Sequence, residues 1–300
     1  MKQFLLLTTI FVLCLPFAWA QETISHKGFE LQFSTNMYWG SVDNANFYSG
    51  ILKGEDNAAP DITRITTNKI FRDQIENLIE DNYTGITAST LFTTNNAYNS
   101  GTEGISNMRY GISFNFAIEI RYHVNSSFSF GLYFSQSILT AKGTKSFAVN
   151  SSNYNTGGLQ YIEEQLLGKE TRNFFGINFT YMYRNNSRFY PLVEFGTHLN
   201  SVKVKSSELI VEGVAFDLID HYGGVVYTGD DRTEIDPHLG GVGYGFIASA
   251  GVRISFTEYL AVEPLFSVSI EKLKLDGYDK IRPNYSLGIR FVLGDKVFAK

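Results

Sequence analysis

The sequence predicts an all-β fold: a membrane-spanning, eight-stranded, antiparallel up-and-down β-barrel with long extracellular loops. Three observations predict it. The chain opens with an export signal. It then carries long stretches in which apolar and polar residues alternate with a period of two. The connections between those stretches alternate between long and short.

The clearest stretch is Arg109–Val124. Its even positions are apolar or aromatic: Tyr110, Ile112, Phe114, Phe116, Ile118, Ile120, Tyr122 and Val124. Its odd positions, including Glu119, Arg121 and His123, are small, polar or charged. A period of two means an extended strand with two unlike faces. Strands of soluble sheets usually hold about 5–6 residues, whereas a tilted strand crossing a bilayer needs about 9–11, apolar toward lipid and flanked by aromatics.

The same pattern recurs in chain order. The first strand is Phe29–Val42, with Phe29, Leu31, Phe33, Met37 and Trp39 on one face and Val42 breaking the pattern. The long segment Asp43–Asn107 follows. Within it Asn68–Asp81 shows helical spacing (Phe71, Ile75, Leu78, Ile79) behind an Asn68 cap, which predicts a short amphipathic helix packed on the base of the loop. Arg109–Val124 is the second strand, and Asn125-Ser126 turns the chain. The third strand is Ser127–Ala141. A second loop, Lys142–Glu170, carries a short helical pattern at Tyr161–Leu167. The fourth strand, Arg172–Arg184, turns at Asn185-Asn186-Ser187 into the fifth, Arg188–Lys203. A third loop, Val204–Gly240, is rich in carboxylates. The sixth strand is Gly241–Phe256, the seventh Tyr259–Leu273 and the eighth Ile281–Leu293. Pro191, Pro264 and Pro283 each delete a ladder donor and mark bulges or strand ends. Gly85–Tyr98 and Leu209–Leu218 are the loop stretches most like strands; they would supply the extra pair of a ten-stranded version.

Met1–Ala20 reads as a secretory signal peptide: a basic start at Lys2, an apolar run Phe4–Pro16 and a small-x-small site at Ala18-Trp19-Ala20. The remainder, 21–300, is one barrel domain. The only cysteine, Cys14, lies inside the signal, without the small flanking residues of a lipid-attachment site. Removal of the signal leaves no disulfide or thiolate chemistry. No later segment reaches about 18 apolar residues, the length of a helical span. The chain carries 30 acidic against 25 basic residues, which argues against nucleic acid. Outer-membrane barrels of bacteria have an even number of strands, short periplasmic turns and long outer loops. This rhythm places both termini in the periplasm.

In its strand pattern and loop rhythm the chain resembles the small eight-stranded outer-membrane barrels of the OmpA and OmpX type. Its Phe/Tyr/Asn-rich strands and long first loop also resemble the broader outer-membrane barrel group that includes PorT-like proteins. The resemblance spans nearly all of the chain after the signal and is one of topology; no motif fixes a subfamily. The terminal aromatic usual in such barrels is displaced, since Gly294–Lys300 extends past Phe291. The resemblance implies a structural or surface-recognition protein or, on the PorT-like side, an accessory component of a secretion machine or narrow channel. Its expected partners are outer-membrane lipid and an extracellular ligand or secretion-machinery protein. The barrel is expected to be monomeric.

An eight-stranded barrel has an interior just wide enough for side chains to fill, so its inward charges are the candidate site. Arg121, Arg253 and Arg290 form one predicted layer and Glu119, Glu194 and Glu263 the next. Isolated charges there would be costly and paired ones tolerable. The six residues read as a self-satisfying plug, with a gate or proton path as the functional alternative. No cofactor, metal or catalytic residue is predicted. Lipid-modifying barrels need a histidine within reach of an acyl chain; here His123 and His198 point inward, His26 precedes the first strand, His221 and His238 lie in the third loop, and no GxSxG elbow occurs. The run Asp230–Asp236 has carboxylates that could ligate calcium but lacks the glycine of an EF-hand loop. The first and third loops are net acidic, which argues against direct docking to phosphate-rich lipopolysaccharide unless divalent cations bridge. With this topology, protease added to intact cells should cut within Asp43–Asn107 or Val204–Gly240; cleavage confined to the turns at Asn125 or Asn185 would invert the orientation.

Overall fold

The computed structural model describes residues 28–49, 51–52, 62–63, 69–82, 107–150, 159–183, 188–218, 240–257, 259–275 and 280–294. The signal, the Asn68 cap, the stretch 85–98, the turn at 185–187, the run 230–236, and His26, His221 and His238 lie outside these residues. Eight strands form the wall: β1 (Gly28–Trp39), β2 (Ser113–His123), β3 (Phe128–Asn150), β4 (Leu159–Met182), β5 (Phe189–Val211), β6 (Gly240–Ser255), β7 (Leu260–Lys272) and β8 (Ile281–Gly294). Each pairs antiparallel with its neighbours in sequence, and β1 pairs with β8, so the ring closes. Phe33 of β1, for example, stands opposite Phe291 of β8 and Ile118 of β2.

The short turns have local causes. The Asn125 side-chain oxygen accepts hydrogen bonds from the backbone N–H groups of Ser127 and Phe128, both at 2.8 Å. Thr257 Oγ1 does the same for Tyr259 and Leu260, at 3.2 and 3.0 Å. Such side chains imitate a backbone turn and fix the register that follows. The start of β1 and the end of β8 lie at this same rim.

Period-two alternation makes the wall inside-out relative to a soluble protein. Phe116, Phe179, Phe195 and Phe246 are 61–64% exposed on the outer face, while Arg121 and Glu263 are fully buried inside. Exposed apolar surface on this scale marks a surface that meets something other than water. No helix among the described residues is long and apolar enough to cross a membrane.

Several predicted boundaries differ. The second strand is interrupted: Arg109–Tyr110 pairs with β3 by itself, and the break turns Tyr110 inward although its even number placed it outward. The first strand ends at Trp39, and Val42–Ala45 forms a short helix. Tyr161–Leu167 is not helical but part of β4, where Glu164, Leu166, Gly168 and Glu170 are buried alternately. Short apolar runs satisfy either period, and pairing with β3 decides this one. The third loop begins late, because β5 continues to Val211 and a turn at Glu212-Gly213 (φ 48° and 81°) returns Val214–Asp217 along it. Leu209–Leu218 is thus strand-forming, as its composition indicated, but it adds nothing to the ring, which stays at eight. Pro191 and Pro283 are the third residues of β5 and β8, near strand ends as expected, whereas Pro264 lies mid-strand without a bulge. The β6–β7 ladder omits Val252 and Arg253 opposite Pro264 and Glu263 in unchanged register. A register shift lies instead at Lys169/Glu170 on β4, opposite β5.

Beyond Lys142 and Lys203 the ring neighbours of β3 and β5 stop, and β3, β4 and β5 rise together as a blade above the wall. The described parts of the first loop pack across the mouth beside it. Helix α1 (Lys69–Asn82) buries Ile75 and Ile79 in a cluster with Phe47, Tyr48, Leu139, Leu166 and Val204. The amphipathic helix therefore packs on the base of its loop, as its spacing indicates. Ser41 N–H donates to Asn284 Oδ1 at 2.8 Å and ties the loop to β8. Gly168 leaves room for this seal, since a Cβ there would lie 2.2 Å from the Tyr48 ring.

Phe116→Arg tests the outer face. Arg at the midplane of a barrel in lipid costs about 2–4 kcal/mol. The urea midpoint in phospholipid vesicles should fall accordingly, whereas Phe116→Leu should leave it close to wild type.

Candidate functional site: the charged lumen

Alternate residues of all eight strands converge inside the wall as two charged clusters with a polar chamber between them. The lower cluster lies toward the short-turn rim. Arg121 Nε reaches Glu119 at 2.9 Å, and another nitrogen of the same guanidinium bonds Glu194. Arg290 contacts Glu194 at 2.6 Å and Glu263 at 2.9 Å. Arg253 reaches Glu263 at 2.6 Å. The six residues read as two layers are therefore one mesh in which each Glu serves more than one Arg. Asn178 and Thr180 of β4 complete it by donating to Glu119 at 3.0 Å and to Glu194 at 3.1 Å.

Sequence reasoning missed two members of this mesh. Glu30 of β1 takes both terminal nitrogens of Arg253, at 2.9 and 2.8 Å, and His123 lies 2.9 Å from it. Both were legible by parity, since Glu30 shares its face with Gln32 and Asn36. Four carboxylates thus meet three guanidiniums, with the imidazole set against the carboxylate in excess. A bidentate Arg–carboxylate pair with its remaining lone pairs satisfied is the geometry in which buried charge is tolerated.

The upper cluster has no counterpart in the sequence pattern, which ends the second loop at Glu170. Arg172 Nε bonds Glu170 at 2.5 Å and its Nη1 donates to Tyr38 Oη at 3.0 Å. Tyr38 donates onward to Glu271 at 3.2 Å. Tyr48 and Tyr110 both donate to Glu170, at 2.5 and 3.0 Å. The Arg172 guanidinium also stands 5.1 Å from the centre of the Tyr110 ring, within cation–π range. Burial first, and then the Glu170 carboxylate, hold the Tyr48 phenol well above its ordinary value, so it stays a donor. The first loop is thereby fastened to a charge inside the mouth.

Between the clusters lies a chamber of about 80 Å³. Ser34, Ser135, Ser249, Ser267 and Ser286 line its waist, with Glu194 and Arg290 on the floor and His198 and Glu271 on the roof. It has room for several waters, each of which needs roughly 10–15 Å³. Tyr133 Oη lies 3.0 Å from His198 Nδ1. His198 and His123 are both buried inside the wall, away from any acyl chain. Among the described residues no group of three or more potential ligands could hold a metal ion.

No family model matches the chain, and no curated protein matches it. Among solved structures it is similar to Neisserial surface protein A (8% identity over 90% of this chain and 99% of that one, TM-score 0.40). It is also similar to Ail, the attachment invasion locus protein of Yersinia pestis (8% identity over 90% and 97%, TM-score 0.28). Likeness at this level adds nothing to the case for the fold, which rests on the closed ladder itself.

The mesh makes a direct prediction. Glu263→Gln leaves Arg253 and Arg290 short of a counter-charge, and breaking a buried pair costs about 3–5 kcal/mol. Adding Arg253→Met should restore part of the loss. Two additive, small effects in urea titrations would mean that these charges are wet and independent.

Proposed function

We propose that this chain is a non-enzymatic outer-membrane β-barrel with a structural or surface-recognition role, inserted by its apolar outer face and holding its blade outside the cell. One observation carries the reading: the lumen is closed twice, by the charge mesh below and by the apolar seal above, while β3, β4 and β5 continue beyond the wall. A closed barrel with an extended blade is suited to display. The inward histidines and the absence of a nucleophile elbow support a non-catalytic role. Export by the signal at 1–20, periplasmic termini, a monomeric state and acidic outer loops belong to the same reading, as does an extracellular protein or ligand as partner.

The narrow-channel alternative draws its support from the chamber. For that role the mesh would have to open as a gate, and a gate needs its pairs exchanged at little cost. An accessory place in a secretion machine is compatible with the closed lumen and is decided by what the blade binds. Planar-bilayer recording of the refolded chain decides the channel question. We expect at most brief, small openings. A stable porin-sized current from the wild type would overturn the closed reading.

A further inference from the structure

The blade's base carries a collection of positive charge on its outer side. Arg109, Lys142, Lys169, Lys203 and Lys205 are all exposed there. Register makes them neighbours. Arg109 stands directly opposite Lys142. Lys142 faces Leu167, so Lys169 is its diagonal neighbour. Lys203 faces Thr171 and is diagonal to Lys169 in turn. Diagonal positions on one face are about 7–8 Å apart, within reach of long side chains. The register shift beside Lys169 leaves Lys205 without a partner and turns it outward next to Lys203. The nearest carboxylate in register is Glu208, opposite Leu167, and no ion pair joins it to these residues. Like charges set opposite one another weaken a ladder. Five gathered cations are stabilised when an anion sits among them.

Their height identifies the anion. Lys142 lies four residues past outward Ile138, and Lys203 four past outward Leu199. At the usual rise and tilt that is about 10 Å beyond the last lipid-facing apolar side chain, the level of the headgroups. Apolar side chains below and cations above match a molecule with acyl chains and phosphate. We propose that this patch binds the phosphate groups of phosphorylated acyl lipid in the outer leaflet, of the kind that anchors lipopolysaccharide. The acidic loops argued against such docking. Register places the cations on the wall, at the level where a headgroup lies.

The proposal rests on the outer-membrane reading, and its test separates the two. The full chain would be refolded into vesicles and then challenged in detergent with bisphosphorylated lipid A and with its dephosphorylated form. The wild type should insert and retain the phosphorylated lipid, with retention falling as salt rises. The triple variant K142Q/K169Q/K203Q should insert equally well but retain at least about tenfold less. K280Q, outside the patch, should behave as wild type. Inorganic phosphate at equal concentration should not compete. Equal retention by the triple variant, equal binding of the dephosphorylated lipid, or competition by free phosphate overturns the patch while leaving the barrel intact. Failure of the wild type to insert overturns both.

Discussion

Everything in this structure depends on filling a narrow tube lined with charge. A closed ring of eight strands turns every second residue of each strand toward one axis. The lumen is too narrow to hydrate Glu119, Glu194 or Glu263 fully, so each is met by a guanidinium, Glu119 by Arg121 on its own strand and by Arg290 across the lumen. Arg121 comes from β2, Arg253 from β6 and Arg290 from β8, and the carboxylates from β1, β2, β5 and β7. Apart from Arg121–Glu119, two residues apart on β2, these pairs join different strands and form only when the ring is closed in its present register. A slip of one residue on any strand would send its charge into the outer face. The mesh thus selects a register as much as it stabilises one.

The outer end is solved by different means. There the wall is not ringed by charge but roofed by its own first loop. Phe47, Tyr48, Ile75 and Ile79 supply the apolar roof, and the Tyr48 and Tyr110 hydroxyls bind it to Glu170. These described parts of the loop therefore belong to the core. They shelter Arg172 and Glu170 from solvent and so strengthen the hydrogen bonds made to them.

Much of this was legible in the residues, for a physical reason. A strand's two faces are fixed by parity, so the inward position of Glu119, Arg121, Glu194, Arg253, Glu263 and Arg290 followed from counting. Glu30 and His123 obey the same count. What parity cannot give is where a strand stops. The extension of β3 past Ala141, and of β4 back to Leu159, depends on mutual pairing of segments whose own composition is polar and mixed. Glu170 and Arg172 looked like a loop end and a strand start, yet they occupy the middle of β4. Tyr110 shows a second limit, since a break of two residues reverses parity and turns an expected lipid-facing ring into the mouth. The helix α1 was readable because three-to-four spacing over several turns has no strand equivalent.

The continuity of the blade with the wall has a mechanical consequence. β3, β4 and β5 are not appended to the barrel; each is one unbroken strand from the short-turn rim to the blade. A pull on the blade's tip runs along the strand axes and loads the ladders to β2 and β6 in shear, many bonds together, where a pull across the strands would unzip them singly. The apolar outer face adds a second resistance, because drawing the wall upward drags Phe179 and Phe195 out of their surroundings. Tension applied to the blade is thus spread over the body of the barrel, because its strands run into the wall without a break.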